Sequence, residues 1–308
     1  MIHNIPKIES CVKSAGASTE YYITVILVSA NVISSVINLL HIILLTMTPE
    51  IRKLRHFWIL FNLTFSDISV SVMAAVWLSP TVNHLLLAAD DGNGTAFIVI
   101  GMQSSGLYRY LQITLASLDR YYAVCKPFDY ANSKVINNIG KLSIVGWVVN
   151  ISFITFKVLY TAHEACIGEF GMYIISEQST SRYLDMVHSV NMVVQLMLTT
   201  ILLGMVVREL NRMLQRGRMT REDKEVRSAT KYIIGTAIMF YCTLIPLILY
   251  ITLNGVSRTI LVKTSLVTML VVQTLYGIGN VVLYGFFNPF YVRKIITMFR
   301  CKNAVSPS

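Results

Sequence analysis

Charged side chains are scarce in this chain, at 14% of its 308 residues, against about 25% in an ordinary soluble domain. Hydrophobic residues reach 54% and the mean hydropathy is +0.59, which excludes a disordered chain and almost any soluble enzyme. Cysteine is sparse too, and the five present do not make a disulfide framework. Histidine is rare and scattered. His3, His41, His56, His84, His163 and His188 make no metal-ligand spacing, and no nucleophile motif accompanies them. We therefore expect no enzyme, no metal and no cofactor. The first 20 residues contain no apolar h-region, so no cleavable signal peptide is expected and the first apolar run must itself direct insertion. Internal repeats are missing as well, which argues against the inverted-repeat plan of many transporters. A transporter or channel subunit is the alternative from another class.

Long apolar stretches are what the chain has in abundance. They recur at 21–46, 57–82, 96–124, 139–161, 184–207, 231–253 and 260–286, each of bilayer-spanning length. The expected fold is an all-α membrane protein, a seven-transmembrane helix bundle forming one domain over 1–308. An N-terminal segment 1–20 precedes the bundle at 21–286. A short amphipathic helix 289–300 and a tail 301–308 follow it. The net charge of +10 is distributed by segment rather than as a nucleic-acid surface. Most of the 26 Lys and Arg lie in 47–56, 125–141, 208–231 and 293–302, whereas the alternate loops hold only Lys7, Lys13, Arg182, Arg258 and Lys263. The positive-inside rule then places the N-terminus outside and the C-terminus in the cytoplasm of a multi-pass protein. The sequon Asn93-Gly94-Thr95 falls in an outer segment and is a glycosylation candidate. Cys11 and Cys166 share the oxidising side, where they either bridge or stay as two thiols. On the inner side, 208–231 alternates basic and acidic residues as solvated helix ends, a face on which a docking surface can also be built.

Polar residues inside the spans carry the functional information, because each is costly there and faces the bundle interior. Asp119-Arg120-Tyr121 closes the third span. An acid beside an arginine at that point either neutralises itself or releases the arginine to a new partner. Asn38 lies in the first span, Asp67 in the second, Trp147 in the fourth, Pro246 in the sixth, and Asn280 and Tyr284 in the seventh. This set in this order resembles the rhodopsin-like (class A) G-protein-coupled receptors from about Asn38 to Cys301. Two segments, Asp119 to Tyr130 and Leu60 to Asp67, are similar to olfactory receptors, and Tyr284 to Lys294 looks like the trace-amine branch.

The resemblance implies a receptor for a small, weakly polar ligand, probed by a chemosensory cell at the plasma membrane, with membrane lipid around it and a heterotrimeric G protein as partner. A lipid or small-peptide ligand is the alternative within the class. By the family's register the pocket is Met102, Gln103, Gly106, Leu244, Leu247, Ile248, Ile251, Leu270, Gln273 and Thr274. Asp119, Arg120, Tyr121, Pro246, Asn280 and Tyr284 would carry activation and coupling. Departures are also visible. Met102 stands where amine receptors carry Asp, Thr274 where opsins carry Lys, Thr95 where the usual disulfide needs Cys, Leu244 where the sixth-span tryptophan sits, and Val281 in place of the seventh-span proline. Glu225 lies one residue before the family's acidic lock position, here Val226.

Arg109 is the least expected residue. It lies eleven positions before Arg120, near mid-membrane depth, where an ionisable group needs a partner. In the family's register a small polar residue here lines a sodium pocket with the second-span acid. We expect Arg109 to pair with Asp67, with a bidentate contact within its means, so that a tethered cation takes the place of the diffusible one. After the last span, the apolar face of 289–300 should lie on the inner leaflet, with Cys301 as a palmitoylation candidate or a plain thiol.

Overall fold

The computed structural model describes residues 16–54, 56–79, 93–164, 182–215, 221–254 and 260–301, and these contain helices and turns only. Seven long helices form the bundle: α1 (Gly16–Met47), α3 (Phe57–Leu78), α4 (Asn93–Cys125), α7 (Ile139–Glu164), α8 (Arg182–Gln215), α9 (Arg221–Asn254) and α10 (Ile260–Phe287). Short helices α2 (Pro49–Arg52), α5 (Pro127–Tyr130) and α6 (Lys134–Asn137) lie in the connections, and α11 (Pro289–Cys301) follows the last span.

The helices are amphipathic in the inverted sense. In α1, Asn31, Ser34, Asn38 and His41 recur every three or four residues and are all buried, while Val32, Ile33, Val36, Leu39, Leu40 and Ile43 are exposed. The same inversion runs along α7 and α8, where Ile144, Val148, Val193, Met197 and Ile201 face outward. An apolar surface of this extent is untenable in water and costs nothing against lipid. Tyr22–Met47, Phe57–Leu78, Ile139–Leu159 and Val190–Gln215 are each long and apolar enough to cross a membrane.

α4 is different for a geometric reason. It packs on α3, α7, α8 and α9, so almost no face of it needs to suit lipid. Its buried residues accordingly include Ser104, Ser105, Arg109, Gln112, Ser117, Asp119 and Arg120. α1 closes the ring against α3 and α10, and α9 lies against α10.

Helix ends follow local chemistry. α3 stops at Leu78, short of the expected 82, and Ser79 is extended at φ −72°, ψ 112°. Pro80 follows, and a residue before proline is pushed out of the α region. α2 and α5 each begin with proline at the first turn, where no N–H is missed. Asn288 caps α11 by accepting from the Tyr291 amide at 3.2 Å. α11 buries Tyr291 against the bundle and exposes Arg293 and Lys294. α9 runs as helix through Pro246, and both α8 and α9 extend well past their apolar stretches toward 216–220.

Candidate functional site

Packing of α3 against α4 brings Asp67 and Arg109 together at the centre of the bundle. Both are buried, at 0% and 3% exposure. Arg109 Nε lies 2.7 Å from Asp67 Oδ1. The two atoms are close enough to pair charges but are not aligned as a good hydrogen bond, and Arg109 Nη2 finds no hydrogen-bond partner among the described residues. The contact is therefore one-pronged rather than the bidentate fork. Below the guanidinium, the Tyr276 ring centre sits 4.7 Å from Cζ, a cation–π contact.

Asp67 is also held from α10. Asn280 Nδ2 donates to Asp67 Oδ2 at 3.0 Å, and Asn280 Oδ1 accepts from the Tyr232 hydroxyl at 2.6 Å. Charge on α4 is thus tied through α3 and α10 to α9. The α1 side of this core depends on a glycine. A Cβ on Gly277 would stand 2.8 Å from Ser34 Oγ and 3.3 Å from Asn38 Nδ2, and Asn38 Nδ2 donates to the Gly277 carbonyl at 3.2 Å. Only the bare backbone admits that approach.

Toward the end of the bundle away from Arg120, Met102, Gln103, Gly106 and Gln273 are half-buried, and Leu244 is buried. Nothing lies within 4 Å of where a Cβ on Gly106 would stand. Thr274 is turned to α1, its hydroxyl donating to Asn31 Oδ1 at 3.3 Å. The side chains of Pro246, Leu247, Ile248, Ile251 and Leu270 lie outside the described residues, as do those of Asn93, Glu225 and Cys301 and the whole of Cys11 and Cys166.

At the C-terminal end of α4, Arg120 folds back on its neighbour. Its Nε donates to Asp119 Oδ2 at 3.0 Å and its Nη2 contacts the same oxygen. Tyr130 of α5 donates to Asp119 Oδ1 at 3.0 Å. The same Arg120 Nη2 stands 3.5 Å from His56 Nδ1, at the limit of a hydrogen bond. Burial, and next the Arg120 charge, push the His56 imidazole down to about 4, with Asp119 opposing. A neutral ring keeps a lone pair for Arg120. Tyr121 points elsewhere, packing with Val124, Val206 and Leu210.

Tyr284 sits at the lower end of α10 in an aromatic nest. Its ring centre lies 5.1 Å from those of His41 and Tyr291 and 5.3 Å from that of Tyr232. His41 Nδ1 and the Tyr291 hydroxyl share a 2.6 Å hydrogen bond, and Asn288 Nδ2 donates to the Tyr284 hydroxyl at 2.8 Å.

Sequence reasoning did not single out His56, Tyr232, Tyr276 or Tyr291 as partners. A loop histidine and aromatics in apolar runs carry no distinguishing signal until helices are placed side by side. Among the described residues no cluster of His, Cys, Asp and Glu could hold a metal ion, and Cys125 and Cys242 are free thiols.

No curated protein matches the chain. The family of seven-transmembrane receptors of the rhodopsin type matches it over residues 37–290, a stretch that holds Asn38, Asp67, Arg109, Asp119, Arg120, Asn280 and Tyr284. With that match over most of its length, the chain belongs to this rhodopsin-type receptor family.

Proposed function

We propose that the chain is a chemosensory receptor of the plasma membrane that binds a small molecule in its outer half and activates a heterotrimeric G protein. The observation that carries this reading is the buried Asp119–Arg120 pair, held at the cytoplasmic end by Tyr130 and His56. In the resting state Asp119 neutralises Arg120. A ligand that favours a second state moves the lower end of α9 outward, and only its difference in affinity between the two states drives the change. Arg120 then leaves Asp119, and the opened cleft takes the C-terminal helix of a G-protein α subunit. Pro246, which removes one backbone hydrogen bond from α9, is the weak point about which that helix bends.

The Arg109–Asp67–Asn280–Tyr232 connection supports the same mechanism, because it joins the ligand-facing half of α4 to the segment of α9 that has to move. With Arg109 as a tethered cation, signalling is expected to be insensitive to sodium. The olfactory-like segments Asp119 to Tyr130 and Leu60 to Asp67 support an odorant-type ligand, and the loop charges support an outside N-terminus and cytoplasmic C-terminus. Nucleotide exchange on added G protein, measured in membranes carrying the chain during a ligand screen, tests the reading. Arg120→Ala should abolish ligand-driven exchange while surface expression stays largely intact. Solute flux without exchange would favour a transporter instead.

A further inference from the structure

The ion pair at the bundle centre leaves half of its guanidinium idle. Arg109 reaches Asp67 through Nε alone, while Nη2 is buried and has no hydrogen-bond partner among the described residues. The Tyr276 hydroxyl, on the ring beneath the same guanidinium, is buried and likewise has no hydrogen-bond partner among the described residues. Idle buried donors cost free energy and are satisfied in functional proteins by a ligand or an ordered water.

Gly106 lies three residues before Arg109 on the same face of α4, one turn toward the ligand-facing half. Side chains on a helix lean toward its N-terminus, so the Arg109 guanidinium rises beside that turn. The position where a Gly106 Cβ would stand has no atom within 4 Å, so open space adjoins the idle donors from above. Leu244 and Tyr276 belong to one buried apolar cluster, while Gln103 of α4 and Gln273 of α10 are half-buried.

Charge decides what can enter. Asp67 already balances Arg109, and the other Asp67 oxygen is taken by Asn280. A carboxylate arriving here would bury a second negative charge against one cation, and an ammonium would meet a cation with no free anion. Both are unfavourable away from water. An uncharged acceptor oxygen fits, since it takes the idle donors and adds no charge.

We propose that the space beside Gly106 is a ligand subsite for the carbonyl of a neutral, mostly apolar molecule such as a ketone, aldehyde or ester, with Arg109 as its hydrogen-bond donor. The proposal rests on the receptor reading above only in assigning the occupant to the outside medium. Binding is measured on the full chain in lipid nanodiscs as the saturable rise in unfolding temperature with methyl pentyl ketone, and compared with heptane, hexanoate and hexylammonium. The ketone should bind about tenfold more tightly than heptane, the effect of one hydrogen bond to a charged donor, and hexanoate and hexylammonium should give no saturable rise. Gly106→Val fills the space without touching the ion pair and should remove the ketone effect while its unliganded unfolding stays cooperative. Arg109→Lys keeps the charge and supplies a second check, with a reduced ketone preference. Equal rises with ketone and heptane, a preference for hexanoate, no ketone effect at all, or a ketone effect surviving Gly106→Val would each overturn the subsite. G-protein exchange plays no part in this readout, so loss of the coupling reading would leave the result interpretable.

Discussion

Asp67 and Arg109 are each tolerable at the bundle centre only because of the other. Truncating one strands a buried charge, which costs on the order of 3–5 kcal/mol. Asp67→Leu and Arg109→Leu are therefore each expected to lower the unfolding temperature and surface expression sharply, and the double variant to recover much of the loss. Additive damage in the double-mutant cycle would show that the pair is not coupled. His56 makes a different kind of prediction. Its folded value of about 4 lies below the unfolded 6.5, so its contribution to stability is fully present above pH 6.5. That contribution is lost as pH falls toward and through 4, where a protonated ring would face Arg120. Wild-type unfolding temperature should fall over that window more steeply than that of His56→Gln, and parallel curves would remove His56 from the account. Because His56 stands against the same Arg120 nitrogen that contacts Asp119, His56→Ala should also raise ligand-independent exchange.

Elements show how the same residues acquire partners. The contact of α1 with α10 is close because Gly277 has no side chain, and Gly277→Val is expected to destabilise the bundle by about 1–3 kcal/mol through overpacking against Ser34 and Asn38. Unchanged thermal unfolding would mean that α1 yields at no cost. Much of this was legible in advance. Polar residues in apolar runs are conspicuous, so Asn38, Asp67, Arg109, Asp119, Arg120 and Asn280 could be marked as interior from the sequence, and depth along the helix was enough to set Arg109 beside Asp67. The single-pronged contact and the Tyr276 ring at the guanidinium were not legible, since they depend on how α3, α4 and α10 lie together. The inward turn of Thr274 to Asn31 depends on how α1 lies on α10. Neither His41 with Tyr291 nor His56 with Arg120 leaves any spacing signal, because each joins elements far apart in the chain. The end of α3 at Leu78 follows from Ser79-Pro80, where hydropathy alone ran on to 82.

At the scale of the whole molecule, α4 is the axle: it carries the open space at Gly106, the ion pair at Arg109 and the Asp119-bound arginine at Arg120, and it touches four other spans. Contacts run from Arg109 through Asp67 and Asn280 to Tyr232 of α9. The most direct measurement compares G-protein nucleotide exchange in membranes carrying equal surface amounts of the wild type, Asp119→Asn and Arg120→Ala. If Asp119 restrains Arg120 and Arg120 engages the G protein, Asp119→Asn raises ligand-independent exchange several-fold above wild type and Arg120→Ala falls to the level of empty membranes. Equal exchange by all three proteins would contradict the account.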